Sequence, residues 1–315
     1  MNRSVSIIRV SRFAANLLHG VQSGTVHSVY HRTINLQLQP ADSDACADDG
    51  ADAPRLIALQ DRDCVLSPLS LCTSLSADRL SSLPIQEGQS VLADRDGILI
   101  VTSEGMIEFE ITDSAAATDL NLASHPALPL PADRLSALLI NINRTLPLSP
   151  SGSFARILCD PVPDNDLILA AAGNCISKAA ALLQADEVSS AANTLCRGLI
   201  GLGSGLTPAG DDFLCGLLAG LCLRGIFAVS GSRLSAFARS LRAVVPDHLS
   251  DTIDISAAFL RCACEGQFSE AVIRLADDAA AGTENCRALA GSFSKIGHSS
   301  GFDTLAGISF ALAIP

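Results

Sequence analysis

The spacing of apolar residues changes once along this chain, and that change limits the folds open to it. From about residue 25 to residue 112, short β-type runs alternate with turn signals, at 27–38, 56–60, 90–93, 98–103 and 106–112. Asp94-Arg-Asp-Gly97 and Ser103-Glu-Gly105 read as hairpin turns between the last three runs. After residue 130 the period becomes helical, over 132–143, 166–184, 187–197, 208–224, 232–244, 252–264, 268–278, 283–294 and 302–313. The expected class is therefore α+β. A mainly antiparallel β domain with an N-terminal helix occupies 1–130, and an all-helical domain with a buried central helix occupies 131–315. A patternless acidic stretch at 41–54 reads as a loop, and the Pro- and Ser-rich stretch 146–164 reads as a connection.

Composition narrows the function. At 315 residues, 48% hydrophobic and only 17% charged, the chain has enough apolar residues for two cores. The net charge of -12, without a local basic stripe or stacking aromatics, argues against a nucleic-acid partner. The 11 Cys are odd in number and lack framework spacing. Cys215, Cys222 and Cys262 fall in apolar runs, and Cys262-Ala-Cys264 lacks the two-residue spacer of redox and zinc motifs. So many unpaired thiols point to the cytoplasm. Arg3, Arg9 and Arg12 interrupt the first apolar residues, which reads as an amphipathic first helix rather than a signal peptide. The most apolar stretch, 213–229, is broken by Arg224 and preceded by two Asp, so no membrane span is expected.

The most informative stretch is Gly198-Leu-Ile-Gly-Leu-Gly-Ser-Gly-Leu-Thr-Pro-Ala-Gly-Asp-Asp-Phe213. Gly203, Gly205 and the glycines before them let the backbone approach a ligand without Cβ clashes. Thr207 followed by Pro208 reads as an N-cap and a first-turn proline. The helix beyond is apolar nearly all round, hence buried, and its Gly216 and Gly220 share a face that another helix should approach closely. A loop of this kind, with Gly203, Ser204, Gly205, Thr207 and Gly210, presents N–H groups and a positive dipole end to an anion. No Lys follows the last glycine, so it is not a nucleotide P-loop. The plainer alternative is a tight turn between packed helices. Asp211 and Asp212, in the first turn, are either dipole caps or a functional pair. As a pair they are suited to act as a general base or as ligands for Mg2+, the one cofactor candidate in the chain.

The same device recurs near the C-terminus as Ile296-Gly-His-Ser-Ser-Gly-Phe-Asp-Thr-Leu-Ala-Gly-Ile308. Asp303-x-Leu305-x-Gly307-Ile308 mirrors Asp212-x-Leu214-x-Gly216-Leu217, so two loop–helix elements are expected to face one site. Ser299, Ser300, Gly301 and Asp303 join the candidate anion-binding residues. His298, between Gly297 and two hydroxyl residues, is placed to donate to an oxyanion or shuttle a proton. Asn174, read at a helix start, and Thr252, one turn before Ser256, are weaker candidates for which local capping competes. His27, His31, His125 and His248 fit no ligand spacing, and no zinc-type cluster is visible.

GLGSGLTPAGDDFLCGLLAGL and GHSSGFDTLAGI together resemble a bacterial family long described as uncharacterised or as a putative carboxylase. Its best-understood member is one subunit of oxamate carbamoyltransferase, in anaerobic allantoin breakdown. The β-then-helical layout fits the same family. Ser204, Ala209 and Phe302 stand where the family commonly has Pro, Ser and Trp, and the missing hydroxyl at 209 removes any role for that side chain. The resemblance implies carbamoyl transfer between phosphate and the amide nitrogen of oxamate, giving oxalurate. Carbamoyl phosphate, oxamate or oxalurate would then be the small anionic partner, and other subunits of the same enzyme its macromolecular partners. The alternatives are a non-catalytic subunit that binds a small anion or supports assembly, and a carboxylase-like enzyme.

Overall fold

The computed structural model describes residues 3–39, 55–159, 166–227 and 231–314. The acidic stretch 41–54 and the end of the connecting stretch, 160–164, lie outside the described residues. The chain divides into two compact units, Met1–Leu120 and Asn121–Pro315.

The first unit is a closed eight-stranded barrel. Its strands are β1 (Arg3–Ser11), β2 (Gln22–Val29), β3 (Thr33–Gln39), β4 (Arg55–Gln60), β5 (Ser70–Thr73), β6 (Ser90–Asp94), β7 (Gly97–Thr102) and β8 (Gly105–Thr118). Around the barrel they run β1-β5-β4-β3-β2-β6-β7-β8, and β8 closes on β1. The antiparallel expectation holds for most pairings but not for two: β4 with β5 and β8 with β1 are parallel. Both hairpin turns are present, with Asp94 opposite Gly97 and Thr102 opposite Gly105.

The N-terminal helix is corrected. Val5, Ile7 and Val10 are buried as strand residues and pair with β5 and β8, so the barrel takes Arg3–Ser11 as its closing strand. Only Arg12–Leu17 (α1) is helical, its N-cap Ser11 accepting from the Ala14 N–H. The single run at 27–38 is two strands, because the chain turns at Tyr30-His31-Arg32, where the Tyr30 N–H meets the Thr33 carbonyl at 2.8 Å. A short helix, α2 (Ala77–Ser81), follows β5. The barrel core packs aliphatic side chains around Phe109.

Among the described residues of the second unit, the nine expected helices are all present. They are α3 (Ala132–Thr145), α4 (Leu167–Gln184), α5 (Val188–Leu199), α6 (Ala209–Leu223), α7 (Arg233–Val244), α8 (Asp254–Cys264), α9 (Glu270–Ala281), α10 (Cys286–Phe293) and α11 (Ser300–Ala313). One of them, α4, is long and apolar enough to cross a membrane by length and composition, with a mean hydropathy of 1.4. Its Leu169, Ala172, Ile176, Ala179 and Leu183 form a buried stripe of helical period.

The centre of this unit is the pair α6 and α11. A Cβ added at Gly216 would strike the Thr304 carbonyl, and one at Gly307 would strike the Phe213 carbonyl. At Gly220 it would come within 2.5 Å of the Ala311 Cβ. The two helices are therefore in backbone contact, which offsets the roughly 1 kcal/mol that each mid-helix glycine costs relative to Ala. Phe213 and Phe310 close the seam with ring centroids 5.8 Å apart.

Candidate functional site

The two glycine loops line one cavity of about 580 Å³. Gly203, Ser204, Gly205, Leu206 and Thr207 contribute one wall, and Gly297, His298, Ser299 and Ser300 another. The loops are joined by a hydrogen bond between the hydroxyls of Thr207 and Ser300, 2.8 Å apart.

Each loop is shaped by glycine in the same way. Gly203 (φ +133°) and Gly205 (φ +106°) take backbone conformations that side chains resist, and so does Gly297 (φ +59°). Gly203 also lies so close to the Ala209 nitrogen that a Cβ would approach it to 2.5 Å. Among the described residues, the N–H groups from Gly203 to Thr207, and those of Gly297, His298 and Ser299, donate to no protein acceptor. Unspent donors in a cavity wall ahead of a helix N-terminus are suited to an anion.

Gly210 and Gly301 do a different job from the one expected of them. The Gly210 N–H bonds to the Leu202 carbonyl, and the Gly301 N–H to the Ile296 carbonyl, so neither is available to a ligand. A Cβ on either would strike the carbonyl of Leu199 or Phe293, at the ends of α5 and α10. Both glycines are packing devices at equivalent places in the two loop–helix elements. Thr207 is likewise not the N-cap: α6 begins at Ala209, Pro208 caps it, and the Thr207 hydroxyl is turned to Ser300.

The adjacent acids do not converge. Asp211 is buried and points back into the protein, accepting the Gly201 N–H at 2.9 Å and the Thr252 hydroxyl at 2.5 Å. Burial raises its pKa, against the hydroxyls of Thr252 and Ser256 and the Gly201 N–H. Thr252 is thus a partner of Asp211 and not a cavity residue. Asp212 sits behind the Thr207–Ser300 pair, with one buried carboxylate oxygen that has no hydrogen-bond partner. Burial, and then the charge of Asp303, push its pKa well above the usual range, while the two hydroxyls oppose the shift. Asp303 is fully buried, and one of its oxygens accepts the Ser153 hydroxyl at 2.6 Å and the Phe154 N–H at 2.7 Å. Burial lifts its pKa to about 6. The charge of Asp303, its counterpart in the second element, thus acts on Asp212.

Asn174 is corrected: it is exposed in the middle of α4 and does not line the cavity. Gly173-Asn174 reads locally as a turn, but the Ala and Leu around it carry the helix through. His298 lies at the cavity surface. None of the lining side chains is Lys or Arg. Among the described residues, no group of three or more His, Cys, Asp and Glu side chains is placed to hold a metal.

Two family models match this chain. The AllH family N-terminal domain matches residues 3–117, and the oxamate carbamoyltransferase subunit AllH matches residues 199–312. The chain belongs to the AllH family. No curated protein and no solved structure matches it. Both glycine loops of this AllH chain, with Asp211, Asp212, His298 and Asp303, fall inside the 199–312 match.

A third part of the site lies outside both matches. Ser151, Gly152 and Phe154 line the cavity with Asp166 and Ile168, and Ser153 and Phe154 hold Asp303. The only trace of this part in the sequence is the Ser-Gly-Ser-Phe run inside a segment that reads as a connection. Asp166 caps α4 through the Leu169 N–H.

Proposed function

We propose that this AllH chain carries the carbamoyl-transfer chemistry itself, with its glycine loops as the anion-binding part, within an enzyme that has other subunits. The observation that carries the reading is the pair of glycine loops with unspent N–H groups around one cavity, in a chain of a family described as an oxamate carbamoyltransferase subunit. Phosphate or carboxylate oxygens sit against the 203–207 amides. The oxamate nitrogen attacks the carbamoyl carbon, and the C–O bond to phosphate breaks as the tetrahedral intermediate collapses. His298 takes the proton leaving the nitrogen and passes it to the departing phosphate, while loop N–H groups stabilise the oxyanion. Nitrogen loss from purines through allantoin is the setting that this chemistry suits.

A second reading has its own support. A cavity without Lys or Arg is poorly neutralised for a phosphate dianion, which favours a chain that binds a small anion while a partner subunit completes the site. One experiment separates the two: carbamoyl transfer assayed with the purified chain alone and then with the other subunits added. Turnover by the chain alone supports the first reading. Phosphate binding by the chain, with turnover only in the assembled enzyme, supports the second. Absence of phosphate binding in both forms refutes both.

A further inference from the structure

We infer that Asp212 and Asp303 together hold one divalent cation of the Mg2+ class, next to the anion cavity. The two carboxylates are equivalent members of the repeated loop–helix elements, each in the first turn of a buried helix. The burial of Asp303 is complete. Each has a buried Oδ2 without any hydrogen-bond partner among the described residues. No Lys, Arg or His pairs with either one there. Two like charges left this way in a protein interior are costly unless something neutralises them.

A shared proton and a cation would both do so, and the oxygen ligands around the pair and the anion cavity beside it favour the cation. The Ser153 hydroxyl and the Phe154 N–H point at Asp303, and the Thr207 and Ser300 hydroxyls face Asp212. Donors favour the ionised form of a carboxyl group, but burial outweighs them at both positions, so a bound cation is what would let the two ionise together. The nearby ligand atoms are carboxylate and hydroxyl oxygens, a hard set that suits Mg2+ or Mn2+. Mg2+ is commonly held by one or two carboxylates, with water and a bound phosphate completing the shell. The cavity lined by Thr207 and Ser300 puts the anion beside the pair, and the cation supplies the positive charge that the lining side chains lack. This site replaces the Asp211–Asp212 pairing, since both oxygens of Asp211 are already engaged.

The inference is independent of the carbamoyl reading, because any small anion in the cavity would be served by the same cation. The test is Mn2+ titration of the chelator-treated chain, followed by the sharp paramagnetic resonance signal of free Mn2+, with and without inorganic phosphate. One Mn2+ per chain should bind, more tightly when phosphate is present. Asp212→Asn and Asp303→Asn, each checked for helical content, should weaken it at least tenfold, and Asp211→Asn should not. A wild-type chain that leaves all Mn2+ free in both conditions overturns the inference. So does unchanged binding in either Asn variant that folds. Asn variants more stable than the wild type, together with no Mn2+ binding, would identify a proton-sharing pair instead.

Discussion

At the scale of single residues, the two adjacent acids separate cleanly. Asp212→Asn keeps shape but removes the charge behind the Thr207–Ser300 hydroxyls, so turnover of the assembled enzyme should fall about 100-fold or more. Its melting temperature should hold or rise, since a buried charge is lost. Asp211→Asn should behave in the opposite way: near-normal turnover, and a stability loss of roughly 1 kcal/mol from the weakened grip on Gly201 and Thr252. Chemical denaturation and steady-state assays on the two variants check this, and a reversed pattern would refute the assignment. His298→Gln keeps a polar side chain but cannot shuttle a proton, so kcat should drop by about 100-fold, with phosphate affinity little changed. Both Asp were legible as a pair in the sequence, because Asp-Asp in a first turn is conspicuous. Their division of labour was not, because consecutive helix positions point about 100° apart and the partners, Thr252 and Ser300, are distant in sequence.

At the scale of elements, the repeated loop–helix unit is the organising device, and its glycines fall into two kinds. Gly216 and Gly307 lie where a Cβ would strike a backbone carbonyl across the α6–α11 seam. Gly216→Ala should therefore force the helices apart at a cost of about 1–3 kcal/mol, despite alanine's better helix propensity. A melting curve measures it, and a stabilised variant would contradict the close packing. Gly205 has open space around it but a φ of +106° that a β-branched residue resists. Gly205→Val should weaken phosphate binding at least tenfold while the circular dichroism of the helices stays unchanged. The close approach at Gly216 and Gly220 was readable from their spacing, four apart in an apolar helix. The identical packing role of Gly210 and Gly301 was hidden, because their partners are the last carbonyls of other helices, Leu199 and Phe293.

At the scale of the whole molecule, acid stability has an identifiable contributor in the barrel. Arg32 grips Asp61 with two hydrogen bonds, at 2.7 and 3.1 Å. Burial works to raise the Asp61 pKa, but Arg32 and the Asp63 N–H outweigh it and hold it below the usual value. A lowered folded-state pKa gives stability that is present above pH 4, roughly the unfolded value, and is lost as pH falls through the folded one. Denaturation midpoints from pH 6 to pH 2 should fall more steeply for the wild type than for Asp61→Asn, and equal slopes would remove Asp61 from the account. The sequence by itself determined the α+β order, the nine helices, both tight hairpins and the two glycine loops, because these depend on local period, turn chemistry and composition. Only the tertiary structure decided that 3–11 is a strand, since Val5, Ile7 and Val10 are satisfied by β5 and β8, far along the chain. It alone brought Ser153 and Phe154 to Asp303, and Asp303 to Asp212. Contacts between residues some 90 to 150 positions apart leave no local period to read, and the energetics of a buried carboxylate depend on those contacts.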